Sequence, residues 1–375
     1  MQIKVGHVTH SYLPNIGGIE NYIKRLAQSL EKRGHRVSIY TTDWRIKGAL
    51  EENAFYFKTD FTVFRNPISF EMYRKLKRAK EDLYHFHAPW FFTHLLAERA
   101  VRHKPKVMTL HGIQLSGSPE LFTINTFYYP AMRHILTKMD VIIAQAENER
   151  QIVVKRYGIP LEKVEIIPNG IETEKFKCSK KSCKTFMEKY KIDKKSFKVL
   201  FVSRLVPHKH PDKLIKAVRN YLENEDLEVL IIGGVVSNEY LETLKRLAYG
   251  DRRIHLIGEV KFDELVAAYN SSDLFVFLST WDALSAVILE AMCCGLPILA
   301  TRTGCMPFVV KEGENGFFID RLEEKEIAEK ILKVMNIGNS VLSRIRKNNK
   351  KRIRKEYEWE KKVKDIIEVY ERVIH

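Results

Sequence analysis

Two acids, Asp282 and Glu290, stand eight positions apart in the stretch 280–300. The apolar positions Leu284, Val287, Ile288 and Ala291 follow helical spacing, and Gly295 and Pro297 stop the helix. Glu290 lies on that helix, and the run 297–300 after it reads as a buried strand. A carboxylate in such surroundings is costly without a partner. The partner is either a cation of its own domain or a pair of sugar or ribose hydroxyls.

Other polar groups gather at strand ends. Asn15-Ile16-Gly17-Gly18-Ile19-Glu20 follows the first strand and opens a helix. Glycines at a helix N-terminus let backbone amides approach an anion, although a plain tight turn has the same composition. His85 and His87 end one strand, and Thr109-Leu110-His111-Gly112 ends another. Histidine there is either structural or in contact with a sugar hydroxyl or acceptor.

Arg204 and Lys209 follow the strand 199–203. A forked guanidinium and a point-charge ammonium suit a diphosphate, although both are also ordinary surface groups in a basic protein. Gly233 and Gly234 end the next strand, where missing side chains would leave room for a base or ribose. Gly313, Asn315 and Gly316 mark a further turn. The His, Cys and acid spacings form no metal set, so neither metal nor cofactor is expected.

These residues need two sheets to hold them. Strands are expected at 3–9, 37–41, 83–87, 107–110, 141–144 and 164–167, with helices near 19–30, 70–80, 92–103, 125–138 and 146–157. A second series has strands at 199–203, 229–232, 254–257, 274–278 and 298–300. Its helices fall near 211–224, 238–249, 263–270, 285–293 and 323–335. The pattern is α/β, with two doubly wound parallel sheets and ligands at the carboxyl ends of strands. The expected domains are 1–170 and 198–356, joined by a Lys-rich linker at 171–197. A closing helix at 357–375 braces one or the other.

At 375 residues, two domains of ordinary size fit. No run of about 18 apolar residues predicts a membrane span, and the N-terminus lacks a signal-peptide layout, so a cytoplasmic location is expected. The five cysteines suggest reduced thiols, with Cys178 and Cys183 the only spacing that hints at a bridge. The net charge is +16, concentrated at 344–355 and at Arg74, Lys75, Lys77, Arg78 and Lys80. Such charge attracts nucleotide-linked substrates or the inner face of an anionic membrane, or simply solvates helix faces. No nucleic-acid motif accompanies it, so no nucleic-acid partner is expected.

In order and spacing, these segments resemble glycosyltransferase family 4, the retaining nucleotide-sugar transferases of GT-B fold. The likeness rests on 17–20, 109–112, 167–171, 202–209, 230–234, 268–273, 289–292 and 295–297, and on the closing helix from Trp359. It implies two Rossmann-like domains facing a cleft, an N-terminal one for the acceptor and a C-terminal one for the donor. The closing helix returns to the first. Gly17 and Gly18 would lie against the donor diphosphate, with Arg204 and Lys209 neutralising the leaving group. Glu290 would bind ribose, Asp282 the donor sugar, and His111 would sit beside the transferred sugar. Glu20, His85 and His87 fall on the acceptor side.

The resemblance implies a hexose-type donor and a hydroxyl acceptor: a lipid-linked sugar, a glycan or a small polyol. The sequence departs from the family's Glu-x7-Glu pattern, with Asp282 as the first acid and Ala283-Leu284-Ser285 where glycines are usual. A GT-B nucleotide-sugar epimerase and a non-catalytic nucleotide-sugar-binding protein are the alternative readings.

Overall fold

The computed structural model describes residues 1–375 apart from 16, 47, 64–65, 90–91, 114–118, 281 and 283, and apart from the side chains of 119–127. Ile16 and Ala283, both in segments singled out above, therefore lie outside the described residues. The chain divides into two units, Met1–Pro168 with Glu360–His375, and Asn169–Trp359.

The first unit holds strands β1 Lys4–Val8, β2 Arg36–Thr42, β3 Ala54–Phe57, β4 Phe61–Val63, β5 Asn66–Ile68, β6 Leu83–His87, β7 Lys106–Thr109, β8 Val141–Ala144 and β9 Val164–Ile166. Its helices are α1 Gly18–Glu31, α2 Phe70–Leu76, α3 Thr93–Ala100, α4 Pro119–Thr137 and α5 Glu147–Tyr157. Seven strands form one parallel sheet in the order β3-β2-β1-β6-β7-β8-β9, and β4 pairs antiparallel with β5. β6 and β8 are buried throughout, as expected for strands covered on both faces. On α1 the buried set Tyr22, Ile23, Leu26, Ala27 and Leu30 forms one stripe, and Gly34, at φ +85°, turns the chain out of the helix.

The second unit holds strands β10 Phe197–Val202, β11 Leu227–Ile232, β12 Ile254–Gly258, β13 Leu274–Phe277, β14 Ile298–Thr301 and β15 Gly316–Ile319. Its helices are α6 Lys180–Lys189, α7 Pro211–Tyr221, α8 Asn238–Ala248, α9 Phe262–Ser271, α10 Ala286–Cys294, α11 Met306–Val309, α12 Glu324–Met335 and α13 Asn339–Arg352, and α14 Trp359–Ile374 closes the chain. All six strands are parallel, in the order β12-β11-β10-β13-β14-β15. Val199, Phe201, Val229, Ile231, Leu274 and Val276 anchor a core that takes in α7 and α12. Each such side chain contributes about 1.5–3 kcal/mol by leaving water.

Residues 171–197, expected as a linker, cluster with the second unit and contain α6. The basic stretch near 344–355 is largely helical, as α13, held inward by Ile345 and Asn349. Glu360–His375 belongs with the first unit. Within that unit Arg372 pairs with Glu165, and the Tyr370 hydroxyl meets His85 Nδ1 at 2.6 Å. No disulfide joins any of the five cysteines, and the Cys178 and Cys183 sulfurs lie 3.0 Å apart. Among the described residues no helix is long and apolar enough to cross a membrane.

Candidate active site

In the second unit the site begins where β10 ends. The Ser203 N–H donates to the Ile232 carbonyl at 3.0 Å, and the Leu205 N–H to the Gly234 carbonyl at 2.9 Å. The loop after β10 therefore runs flush along the end of β11. Gly233 makes this possible: at φ +153°, a Cβ there would lie 1.7 Å from the Ser203 carbonyl oxygen. Glycine is thus required at 233 by the protein's own backbone. At Gly234 a Cβ would meet only the Glu259 carboxylate, at 3.5 Å.

The same loop carries Arg204 and Lys209. Arg204 is exposed and forms no ion pair with a described residue. Lys209 is nearly buried, and its ammonium pairs with the Asp282 carboxylate and lies 5.5 Å from the centre of the Phe277 ring. Two bonds bring the partners together: the Thr280 N–H and hydroxyl both donate to the His208 carbonyl, at 3.1 and 3.3 Å. The N-cap position of α10 is Ser285, without a side-chain cap. Asp282 is therefore not the helix cap.

On α10, Glu290 accepts a 2.8 Å hydrogen bond from the Tyr269 hydroxyl of α9. Tyr269 is fully buried, and burial first, then Glu290, raises its phenol well above the ordinary value. It therefore stays protonated and acts as a fixed donor to the carboxylate. Sequence spacing placed Glu290 correctly on the helix but gave no sign of its partner, 21 positions away.

In the first unit Gly17 is the N-cap of α1, in extended conformation. A Cβ on Gly17 would lie 2.4 Å from Glu20 Oε2, whereas one on Gly18 would meet nothing within 4 Å. Glu20 is buried, and burial raises its pKa. The carboxylate is thus folded back against the first turn of α1.

The strand ends of this unit gather the histidines. His7 Nδ1 lies 2.9 Å from His87 Nε2, and His87 Nδ1 lies 3.0 Å from His111 Nε2. His111 Nδ1 is 3.4 Å from the Gln145 amide. His85 is bound on both sides, by Tyr370 and by the Thr109 hydroxyl at 2.7 Å. Burial lowers His7 and His111 to about 3, and holds His85 and His87 well below the usual value, so all are neutral at pH 7. His111 is held at φ +54°, beside Gly112 at +101°. That backbone conformation costs a non-glycine residue on the order of 1 kcal/mol or more.

Glu149 on α5 grips the same loops, accepting from the Gln145 N–H at 2.7 Å and the Ile113 N–H at 3.3 Å. Burial raises it to about 7. His7, Gln145 and Glu149 escaped the sequence reading. His7 lies inside an ordinary strand, and Glu149 looks like one acid among several on a surface helix. The only His, Cys or acid group close enough for a metal, among the described residues, is His7, His85 and His87, with ligand atoms within 4.8 Å of one another. Both His85 nitrogens and the facing nitrogens of His7 and His87 are already hydrogen-bonded. A metal there would have to replace those bonds.

Comparison with known proteins covers both units. Residues 16–175 match the family model described as Glycosyltransferase Family 4, and residues 183–352 match Glycosyl transferases group 1. An uncharacterized glycosyltransferase of Methanocaldococcus jannaschii is 25% identical, over 98% of each chain. A GDP-mannose-dependent alpha-(1-6)-phosphatidylinositol monomannoside mannosyltransferase of Mycolicibacterium smegmatis is 28% identical, over 84% of each. The solved structure of Anabaena HepE in complex with UDP superposes with a TM-score of 0.83 at 20% identity, covering 98% of this chain and 100% of that one.

Proposed function

The chain belongs to glycosyltransferase family 4 and has its GT-B fold, and from that premise we propose a retaining hexosyltransferase using a nucleotide-sugar donor and a hydroxyl acceptor. The observation that carries this reading is the end of β10. There an exposed Arg204 and a Lys209 steered by Asp282 stand on one loop. Bond cleavage leaves negative charge on the departing diphosphate, and two fixed cations oppose that charge without a metal. Asp282 then does two jobs: it aims Lys209 and it meets hydroxyls of the donor sugar. Glu290, fixed by Tyr269, takes the ribose hydroxyls. Gly17 and Gly18 approach the diphosphate, and His111 meets the transferred sugar.

The neutral imidazoles support a particular route for the proton. A group lowered to about 3, as His111 is, makes a poor base at pH 7. The family resemblance implies that the acceptor proton goes to the leaving diphosphate and that the acceptor attacks the face that group vacates, and a neutral His111 is compatible with that route. The donor is a GDP- or UDP-linked hexose, in line with the names of the mycobacterial relative and the Anabaena complex. The acceptor is a lipid-linked sugar, a glycan or a small polyol. Phe61 and Phe70 are exposed, with ring centres 6.0 Å apart, and Arg74, Lys75, Lys77, Arg78 and Lys80, which follow Phe70 in the chain, are exposed too. That pairing of aromatic and basic groups favours peripheral contact with an anionic membrane.

The test is calorimetry with UDP and GDP, followed by incubation of the matching hexose donors with glycan and lipid-linked acceptors. Binding of one nucleoside diphosphate and a product of unchanged anomeric configuration are expected. An inverted product, or an isomerised donor formed without acceptor, would overturn the reading.

A further inference from the structure

We propose that His87 and His7 are positioning residues for His111, pinning its ring through Nε2 so that Nδ1 is the atom presented to the sugar. The proposal rests on the reading that His111 meets the transferred sugar. The geometry is a chain of three imidazoles from β1, β6 and the loop after β7, with contacts of 2.9 and 3.0 Å. Both are ordinary strong hydrogen-bond distances. The contact on the other side of His111, from Nδ1 to Gln145, is 3.4 Å. A sugar hydroxyl at roughly 2.8 Å would displace it readily.

The far end of the chain is closed. His7 is fully buried, and its Nε2 has no hydrogen-bond partner among the described residues. A neutral imidazole has one N–H, so each ring that donates on one side accepts on the other. The three tautomers are therefore locked together, and the chain has no exit for a proton at His7. It orients His111 and does not carry charge away. The ring is also held edge-on by Tyr22, with centroids 4.8 Å apart, and its loop by Glu149. His85, His94, Tyr22, Tyr370 and Glu149 are the titratable groups packed around the chain, and burial keeps each in its uncharged form or shifts it that way.

The test combines spectroscopy with kinetics. The 15N spectra of the imidazoles in the full-length protein should show His7, His87 and His111 neutral down to pH 5. Release of nucleoside diphosphate from UDP-glucose or GDP-mannose, whichever is accepted, gives kcat and KM. His87→Phe should lower kcat about 10- to 100-fold with KM nearly unchanged, because His111 stays buried and neutral but its ring is no longer held through Nε2. His87→Asn, which keeps a polar group facing His111, should restore most of the rate. Titration of His87 or His111 above pH 5 in the unmodified protein would overturn the proposal, as would wild-type kcat in His87→Phe. Wild-type kcat in His111→Ala would instead remove the sugar role of His111, while the spectra still decide whether the chain exists.

Discussion

Lys209 and Asp282, 73 positions apart in the chain, form one nearly buried ion pair between the loop after β10 and the segment leading into α10. The pair joins two residues that the family resemblance assigns to different parts of a donor. It also makes their substitutions interdependent.

Lys209→Ala should lower kcat about 10²–10³-fold, the usual cost of one lost electrostatic partner of a leaving group. Arg204→Ala should lower it comparably, with little loss of stability because Arg204 is exposed. Asp282→Asn should slow transfer while leaving the affinity for bare nucleoside diphosphate within a fewfold. The double variant of Lys209 and Asp282 should be less impaired than the product of the singles, because both remove the same pair. Strict multiplicativity in steady-state kinetics would separate the two roles.

Glu290→Gln should weaken nucleoside diphosphate binding by about 1.5–3 kcal/mol, the worth of a hydrogen bond to a charged group. Tyr269→Phe should weaken it less, since the carboxylate stays and loses only its fixed donor. Calorimetry with UDP and GDP reads both. Equal affinities in the wild type and Glu290→Gln would end the ribose assignment.

Transfer should persist in excess chelator, because Arg204 and Lys209 are proposed to carry the charge that a metal carries elsewhere. Activity lost on chelation and restored by one divalent ion would count against that division of labour. It would also turn attention to His7, His85 and His87.

Acid should destabilise the fold early. His7, His85, His87 and His94 are fully buried, with folded pKa values below the unfolded value near 6.5. A depressed histidine gives stability that is present above pH 6.5 and is lost as the unfolded chain takes up protons below it. Each contributes a slope of up to about 1.4 kcal/mol per pH unit, running down to about 4 for His94 and about 3 for His7. Glu149, raised to about 7, and Glu20, also raised by burial, act in the opposite sense, but they are two groups against four. Urea midpoints should therefore fall clearly between pH 7.5 and pH 5. An unchanged midpoint at pH 5 would show that the histidines are not held neutral.

Much of the fold was legible because its strands are short apolar runs between turn residues. β6 and β8 fall at the expected bounds. β3 and β15 went unread: both are only four residues long, and β15 opens on a glycine. α13 was hidden by its six basic residues, since only Ile345 and Asn349 are buried along it. The placement of Arg204 and Lys209 after β10, and of Glu290 on α10, was legible from local spacing. The bonds between residues were not. In the second unit Tyr269 meets Glu290 through helix packing, and in the first His7 and Gln145 meet the other histidines through strand order, neither of which local spacing encodes. Gly233 shows the opposite limit. Its need for glycine was visible, but the group that occupies the space, the Ser203 carbonyl, was not.

The last helix also has a consequence for how the protein is made. Tyr370, which holds His85, is synthesised 285 positions after it, and the whole second unit is translated in between. At about 5–20 residues per second, about 190 residues occupy a ribosome for roughly 10–40 s. During that time the nascent first unit lacks its final helix, and His85 lacks its phenol partner. The unit made first is thus the one finished last. A chain cut short anywhere before α14, by truncation or by stalled translation, would leave the histidine floor of the first unit open.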